Sequence, residues 1–277
     1  MFECRGASLV TGVLSALAAV TLSIATPVHA ADDTPKASGA DADGENTLPR
    51  GAPIVGYTYG AHGVASKTVG ASTYGTGLGA GGGQKTTFGL GFMVWGSPLD
   101  RLTLIVDGAR DVFGEYTPSA AAHVRLLGNG NEGWALSALG KFKIDGFARG
   151  PAKEVESEVE SGVLLSYARR RLHFDLNAIG GVGLGDDGEI DSEGRLRVGY
   201  DVTELVRIGI DEQARFRLAG RTRLPGNRTW DFAGGGQVML HWRNFFGAFT
   251  AGPTTMGVTD QRVGWMALLS LGGTTVL

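Results

Sequence analysis

Strict alternation of apolar and polar side chains over ten or more consecutive residues is the feature that most narrows what this chain can fold into. Between 134 and 144 the even positions are Trp134, Leu136, Ala138, Gly140, Phe142 and Ile144, while the odd ones include Ser137, Lys141, Lys143 and Asp145. The same period runs through 171–184, where Leu172, Phe174, Leu176, Ala178, Val182 and Leu184 oppose Arg171, His173, Asp175 and Asn177. It returns in 204–218 (Val206, Ile208, Ile210, Ala214, Phe216 and Leu218 against Arg207, Asp211, Gln213, Arg215 and Arg217) and in 229–242 (Trp230, Phe232, Val238, Leu240 and Trp242 against Asp231, Gln237 and His241). Successive side chains point to opposite faces in an extended strand, so each segment is a strand with one greasy and one polar face. Glu212 is the misfit, an acid on the apolar phase.

Composition agrees with an all-β chain. Gly supplies 46 of 277 residues with no three-residue period, which disfavours helix and excludes collagen. A net charge of −3, from 25 basic and 28 acidic residues with no basic run that suggests a backbone-tracking patch, argues against a nucleic-acid partner. The first thirty residues read as a secretory signal: Arg5, an apolar run over 9–24, then Val28, His29 and Ala30, with cleavage expected after Ala30. The sole cysteine, Cys4, precedes the apolar run, whereas the lipidated cysteine of a lipoprotein follows it, and Cys4 would leave with the signal. Residues 31–50 hold acids, Ala, Ser, Gly and Pro with scarcely a large apolar side chain, and are expected to form a disordered periplasmic leader. A single domain is expected over 51–277.

A soluble sandwich also alternates, and three features separate the two cases. Strands of ten or more residues exceed the five or six usual in soluble sheets and match the roughly 9–11 needed to cross a bilayer at a tilt. Short turns near 96–101, 128–133, 169–171, 201–204 and 243–244 alternate with longer polar connections near 79–85, 110–117, 146–154, 185–194, 219–228 and 252–261, which implies twelve strands. An even count puts both ends of the ring on the short-turn side. The first strand has two candidates, 54–59 and 68–74.

The aromatic residues supply the third feature. Trp95, Trp134, Tyr167, Tyr200, Trp242 and Phe245 fall near the short turns, and Tyr116, Trp230 and Trp265 near the longer loops, as two girdles at the headgroup levels would require. On these patterns residues 51–277 resemble the bacterial outer-membrane β-barrel proteins, porin-like in general character. The resemblance implies an antiparallel up-and-down transmembrane β-barrel of twelve strands in the outer membrane. Its partners would be outer-membrane lipid, lipopolysaccharide and small solutes. The chain departs from the common pattern by ending Thr274, Thr275, Val276, Leu277 instead of on an aromatic residue, which leaves the boundary of the closing strand open.

In a barrel the chemistry belongs to inward side chains and loops. Arg195, Arg197, Arg207, Arg215 and Arg217 come from two consecutive strands and are expected to form a basic wall, while Lys141 and Lys143 can face Glu160 and Glu158 across an antiparallel pair. Two readings follow: a water-filled passage for small polar or anionic solutes, or a structural or adhesion barrel whose charges close a narrow lumen. Small inward residues such as Gly91, Gly199 and Gly209 favour open space. A lipid-modifying barrel enzyme is a third reading, but the mature histidines His62, His123, His173 and His241 are scattered, no GxSxG elbow appears, and no catalytic or metal-binding residue is expected. Two GxGxxG spacings, beginning at Gly77 and Gly183, open no helix and imply no nucleotide cofactor. Asp186, Asp187, Glu189, Asp191 and Glu193 are read as a solvated acidic loop, with Ca²⁺ binding as the alternative.

Overall fold

The computed structural model describes residues 54–79, 87–110, 116–128, 132–145, 156–185, 188–219, 229–256 and 263–277. The signal expected over 1–30 and the leader expected over 31–50 lie outside the described residues. The strands are β1 (Ile54–Val55), β2 (Thr58–Tyr59), β3 (Thr68–Gly79), β4 (Thr87–Leu99), β5 (Leu102–Arg110), β6 (Tyr116–Leu127), β7 (Gly133–Asp145), β8 (Glu156–Arg169), β9 (Leu172–Gly183), β10 (Ile190–Asp201), β11 (Val206–Ala219), β12 (Trp230–Trp242), β13 (Phe245–Thr254) and β14 (Gly264–Val276).

Strands β3–β14 form a closed antiparallel ring of twelve in which each strand pairs with its sequence neighbours. Closure comes from β14 against β3, in register from Trp265 opposite Gly79 to Val276 opposite Thr68. The closing strand therefore runs to Val276 although it lacks a terminal aromatic. Of the two first-strand candidates, 68–74 belongs to the ring, whereas 54–59 makes a separate two-stranded hairpin. The twelve-strand count survives because only one of them joins it. Arg170 and Arg243 take left-handed backbone, φ 54° and 55°, in the tightest of the short turns.

The period of two separates the faces. Along β4, Phe88, Leu90, Phe92 and Val94 are exposed while Met93 and Trp95 are buried. Outward apolar rows continue around the ring through Leu104 and Val106, Val163, Leu176, Ile208 and Ile210, Val238 and Leu240, and Leu269 and Leu271. An outward row of this length on a closed ring suits hydrocarbon, because every ladder hydrogen bond is already satisfied within the protein. Trp134, Tyr200, Trp242 and Phe245 stand exposed on this outer face near the short turns, as do Tyr116, Trp230 and Trp265 near the longer loops. Tyr167 packs against Trp134 with ring centroids 4.7 Å apart.

Trp95 corrects the girdle expectation. It is 2% exposed and shares the inward phase with Met93, with its ring 6.2 Å from that of Phe246. Proximity to a turn suggested the belt; parity along β4 decides for the interior. Two of the small inward residues also differ from expectation, because Gly91 and Gly199 seat large neighbours instead of leaving space. A Cβ on Gly91 would collide with the Tyr74 ring, and one on Gly199 would lie 2.7 Å from Cδ of Arg207.

Glu212 lies on the outward phase near the middle of β11, between Ile210 and Ala214 and opposite Leu196 and Gly234. It is half-buried. A carboxyl facing hydrocarbon is costly, so Glu212→Leu is expected to stabilise the barrel in lipid vesicles by about 1–2 kcal/mol. Val106→Arg, at the centre of the outward row of β5, should cost about 2–4 kcal/mol. Denaturant unfolding in vesicles followed by tryptophan emission measures both, and equal effects in detergent-free buffer and in lipid would contradict a lipid-facing belt.

Candidate functional site

The lumen is occupied over its short-turn half by the chain itself. After the turn at Gly56 and Tyr57, residues 58–66 descend through the ring to Lys67, where β3 begins; Thr58, Tyr59, Ala61 and Val64 are all buried. The hairpin has only two cross-strand pairs, Ile54 with Tyr59 and Val55 with Thr58, too few to persist alone in water. What holds it is the wall.

Seven wall side chains bond to this segment's backbone, each from a different strand. Asp211 of β11 accepts the Tyr57 amide at 2.8 Å and also the Thr58 hydroxyl at 2.6 Å. Asn177 of β9 accepts the Tyr59 amide at 2.8 Å and donates to the Tyr59 carbonyl at 3.0 Å. Ser166 of β8 accepts the Ala61 amide, and Ser137 of β7 donates to the Ala61 carbonyl, at 2.7 and 2.6 Å. Arg195 of β10 donates to the Tyr57 carbonyl, Arg125 of β6 to that of His62 and Ser97 of β4 to that of Val64. These bonds replace the water that an unpaired buried backbone would need. Apolar contact adds to them, since Tyr59, Ala61 and Val64 share one buried cluster with Trp95, Ile105, Leu139, Leu164 and Phe246. Gly56 has φ +69°, and a Cβ there would run into the Asp211 carboxylate, so this turn is built for glycine.

The structure also revises the basic wall. Arg195, Arg197, Arg207, Arg215 and Arg217 do line one side, but each bonds a carboxylate. The partners are Glu193 at 2.8 Å, Asp175 at 2.7 Å, Asp201 at 2.7 Å, Asp191 at 2.6 Å and Glu189. Glu189, Asp191 and Glu193, expected as a solvated loop, are counter-ions: Asp191 of β10 reaches diagonally past its register partner Arg217 to Arg215, Glu189 bonds Arg217, and Glu193 meets Arg195 two residues along its own strand. Asp186 and Asp187 lie outside the described residues. Lys141 Nζ lies 3.6 Å from Glu160, and Lys143 Nζ lies 2.5 Å from Glu158 and 3.5 Å from Glu160. With all five of its arginines paired, this wall presents no free cationic stripe among the described residues.

The histidines have structural surroundings. His62, His123 and His241 are buried with both ring nitrogens unpartnered, and His173 bonds Asp201 at 2.7 Å. None of these contacts reaches a serine hydroxyl. His62 belongs to the inserted segment. Burial pulls its pKa below the ordinary value, with His173 and Arg125 acting in the same direction and Asp175 opposing.

The class defined by this architecture is a closed twelve-stranded barrel with an apolar outer belt and a polar, partly filled interior. Solved outer-membrane porins and channels share the fold. One is the KdgM porin in complex with disordered oligogalacturonate (TM-score 0.52, 7% identity, 74% of this chain and 98% of that one). The NanC porin aligns with TM-score 0.56 at 9% identity, covering 73% of this chain and 98% of that one. The COG4313 outer membrane channel from Pseudomonas putida F1 aligns with TM-score 0.55 at 13% identity, over 76% and 96%. No family model and no curated protein matches the chain by sequence.

Asp211→Ala deletes the acceptor for Tyr57 and Thr58 and should weaken docking of the segment by about 1–3 kcal/mol without changing strand content. Faster amide exchange at Tyr57 and Tyr59 with an unchanged circular dichroism spectrum is the expected result. The docked segment binds the His62 proton less tightly than a free one does. Docking is therefore at full strength above about pH 6.5 and weakens as the pH falls below it. Exchange of the same amides compared between about pH 8 and about pH 5 should accelerate at the acid end, and His62→Asn should flatten that response.

Proposed function

We propose that this protein is an outer-membrane channel for small polar solutes that its own segment 54–66 closes on the short-turn side. The fold shared with the KdgM and NanC porins and the COG4313 channel supports the membrane setting. The observation that carries the reading is the manner of closure. The segment is held by single polar side chains from seven strands, which can be exchanged for water one at a time, and not by a ring strand that would have to leave the sheet. Passage then requires displacement of the segment. Since the wall arginines are paired, the channel is expected to show no strong anion preference from that wall.

In this reading the signal over 1–30 delivers the chain across the inner membrane, the short turns face the periplasm and the longer connections face outward. The outer belt meets lipid, with lipopolysaccharide at the long-loop rim. A second reading, a permanently closed structural or adhesion barrel, draws on the buried apolar cluster that includes Tyr59, Ala61 and Val64.

Planar-bilayer recordings separate the two. The full chain should give small or rare openings, and deletion of residues 54–66 should raise conductance about tenfold or more, with heat-modifiable migration on gels showing that the ring still closes. Silence of the deletion variant across salts would leave the closed barrel as the correct reading. The mass of mature protein from outer-membrane fractions should correspond to a chain beginning at Ala31.

A further inference from the structure

Above the hairpin tip, toward the long-loop mouth, the lumen widens into a cavity of about 190 Å³. Tyr57 and Tyr59 line it from the inserted segment, Tyr74 from β3, Asp107 from β5 and Lys141 from β7. Drug-sized pockets span roughly 300–1,000 Å³, so the space suits one small solute and not an extended chain.

The charges around this cavity do not cancel evenly. The Lys141 ammonium is directed onto Glu160, and the Arg195 guanidinium onto Glu193 and the Tyr57 carbonyl. Lys143, Glu158 and Glu160 complete a group in which two lysines meet two glutamates. Asp107, in contrast, has no ion pair within 4 Å among the described residues, and it stands on the inward phase of β5 directly opposite Met93 and Ser119. A carboxylate whose cationic neighbour Lys141 is already bonded to Glu160, beside tyrosine rings, is the arrangement that attracts a cation. The ring faces carry negative potential, and a cation–π contact strengthens as the cation is desolvated.

We propose that this cavity binds small organic cations, with Asp107 as the counter-charge and Tyr57 and Tyr74 as the rings that cover the ammonium group. Tyr59 already carries Arg195, whose guanidinium carbon lies 5.2 Å from the ring centroid, and so serves as wall. The inference rests on the channel reading and gives it a substrate class. It also reverses the expectation of an anion-selective lumen, since Asp107, the cavity-lining carboxylate without an ion pair among the described residues, replaces the paired arginines as the deciding charge. Because Tyr57 comes from the inserted segment, the site is complete only while that segment is docked, and a bound cation would hold the channel closed until the segment moves.

The test is calorimetric titration of the full-length protein in detergent with tetramethylammonium chloride, at ionic strength held constant with sodium chloride. Sodium acetate and glucose serve as anionic and neutral probes. Saturable binding of tetramethylammonium alone is expected. Asp107→Asn should weaken it about tenfold or more, and Tyr57→Ala should weaken it while the backbone bonds of Tyr57 to Asp211 and Arg195 persist. Tyr57→Phe should leave it intact. Binding of acetate or glucose in preference, no saturable binding of any probe, or an Asp107→Asn variant that binds as the parent does would overturn the site. Conductance of the variant lacking 54–66 is read separately: a conducting variant with no cation site in the full chain sinks this inference alone, whereas a silent variant sinks the channel reading.

Discussion

Backbone amides and carbonyls have no water to bond in hydrocarbon, and everything else in this structure follows from that constraint. A sheet that crosses a bilayer must have no free edge, so β14 has to meet β3 and the ring has to close. Closure then assigns the faces. One phase of each strand faces outward and is apolar, and the other faces an enclosed space and is free to carry charge. The two aromatic bands at the strand ends suit the same constraint, since amphipathic rings favour the level where hydrocarbon gives way to water. Glu212 is the exception on the outer phase, and among the described residues no ion pair explains it.

Closing the ring creates a second problem, an interior that has to be filled with water or with protein. Here the protein fills half of it. The segment before the first ring strand brings its own unpaired amides and carbonyls into the lumen, and the wall answers with Asp211, Asn177, Ser166, Ser137, Arg195, Arg125 and Ser97. Buried ion pairs occupy much of the remaining wall. Such pairs add little net stability, because desolvation offsets most of the attraction, but they fix where each long side chain points. The result is a packed short-turn half, with a polar cavity above the tip of the inserted hairpin.

Much of this was legible in the residues. The alternation and the spacing of turns identify the strands, and once two strands are known to pair in hairpin order the opposition of Lys141 with Glu160 and of Asp191 with Arg217 can be counted from the turn. The arginine pairs are harder to read, because they run diagonally or along one strand, as Arg215 with Asp191 and Arg195 with Glu193 do, so that a run of inward arginines looks like a basic wall. Trp95 could have been placed by parity, since it shares the phase of Gly91 and Met93. The inserted segment carries a fainter signal. Asn177, Ser137 and Ser166 are inward polar residues that would serve equally well facing water, and only the two competing first-strand candidates hinted that one stretch had no place in the ring.

The sequence by itself determined the local geometry: extended strands of bilayer length, the face each side chain takes, the turns between them and the number of strands. These depend on residues near one another in the chain, where a two-residue period and a glycine or polar turn act directly. Tertiary structure alone decided what the lumen contains. Whether an inward arginine stands free or meets a carboxylate, and whether an inward serine bonds water or an amide 105 positions away such as that of Ala61, depends on curvature and on which distant segment enters the ring. No local pattern encodes that choice, because the same polar side chain satisfies either partner.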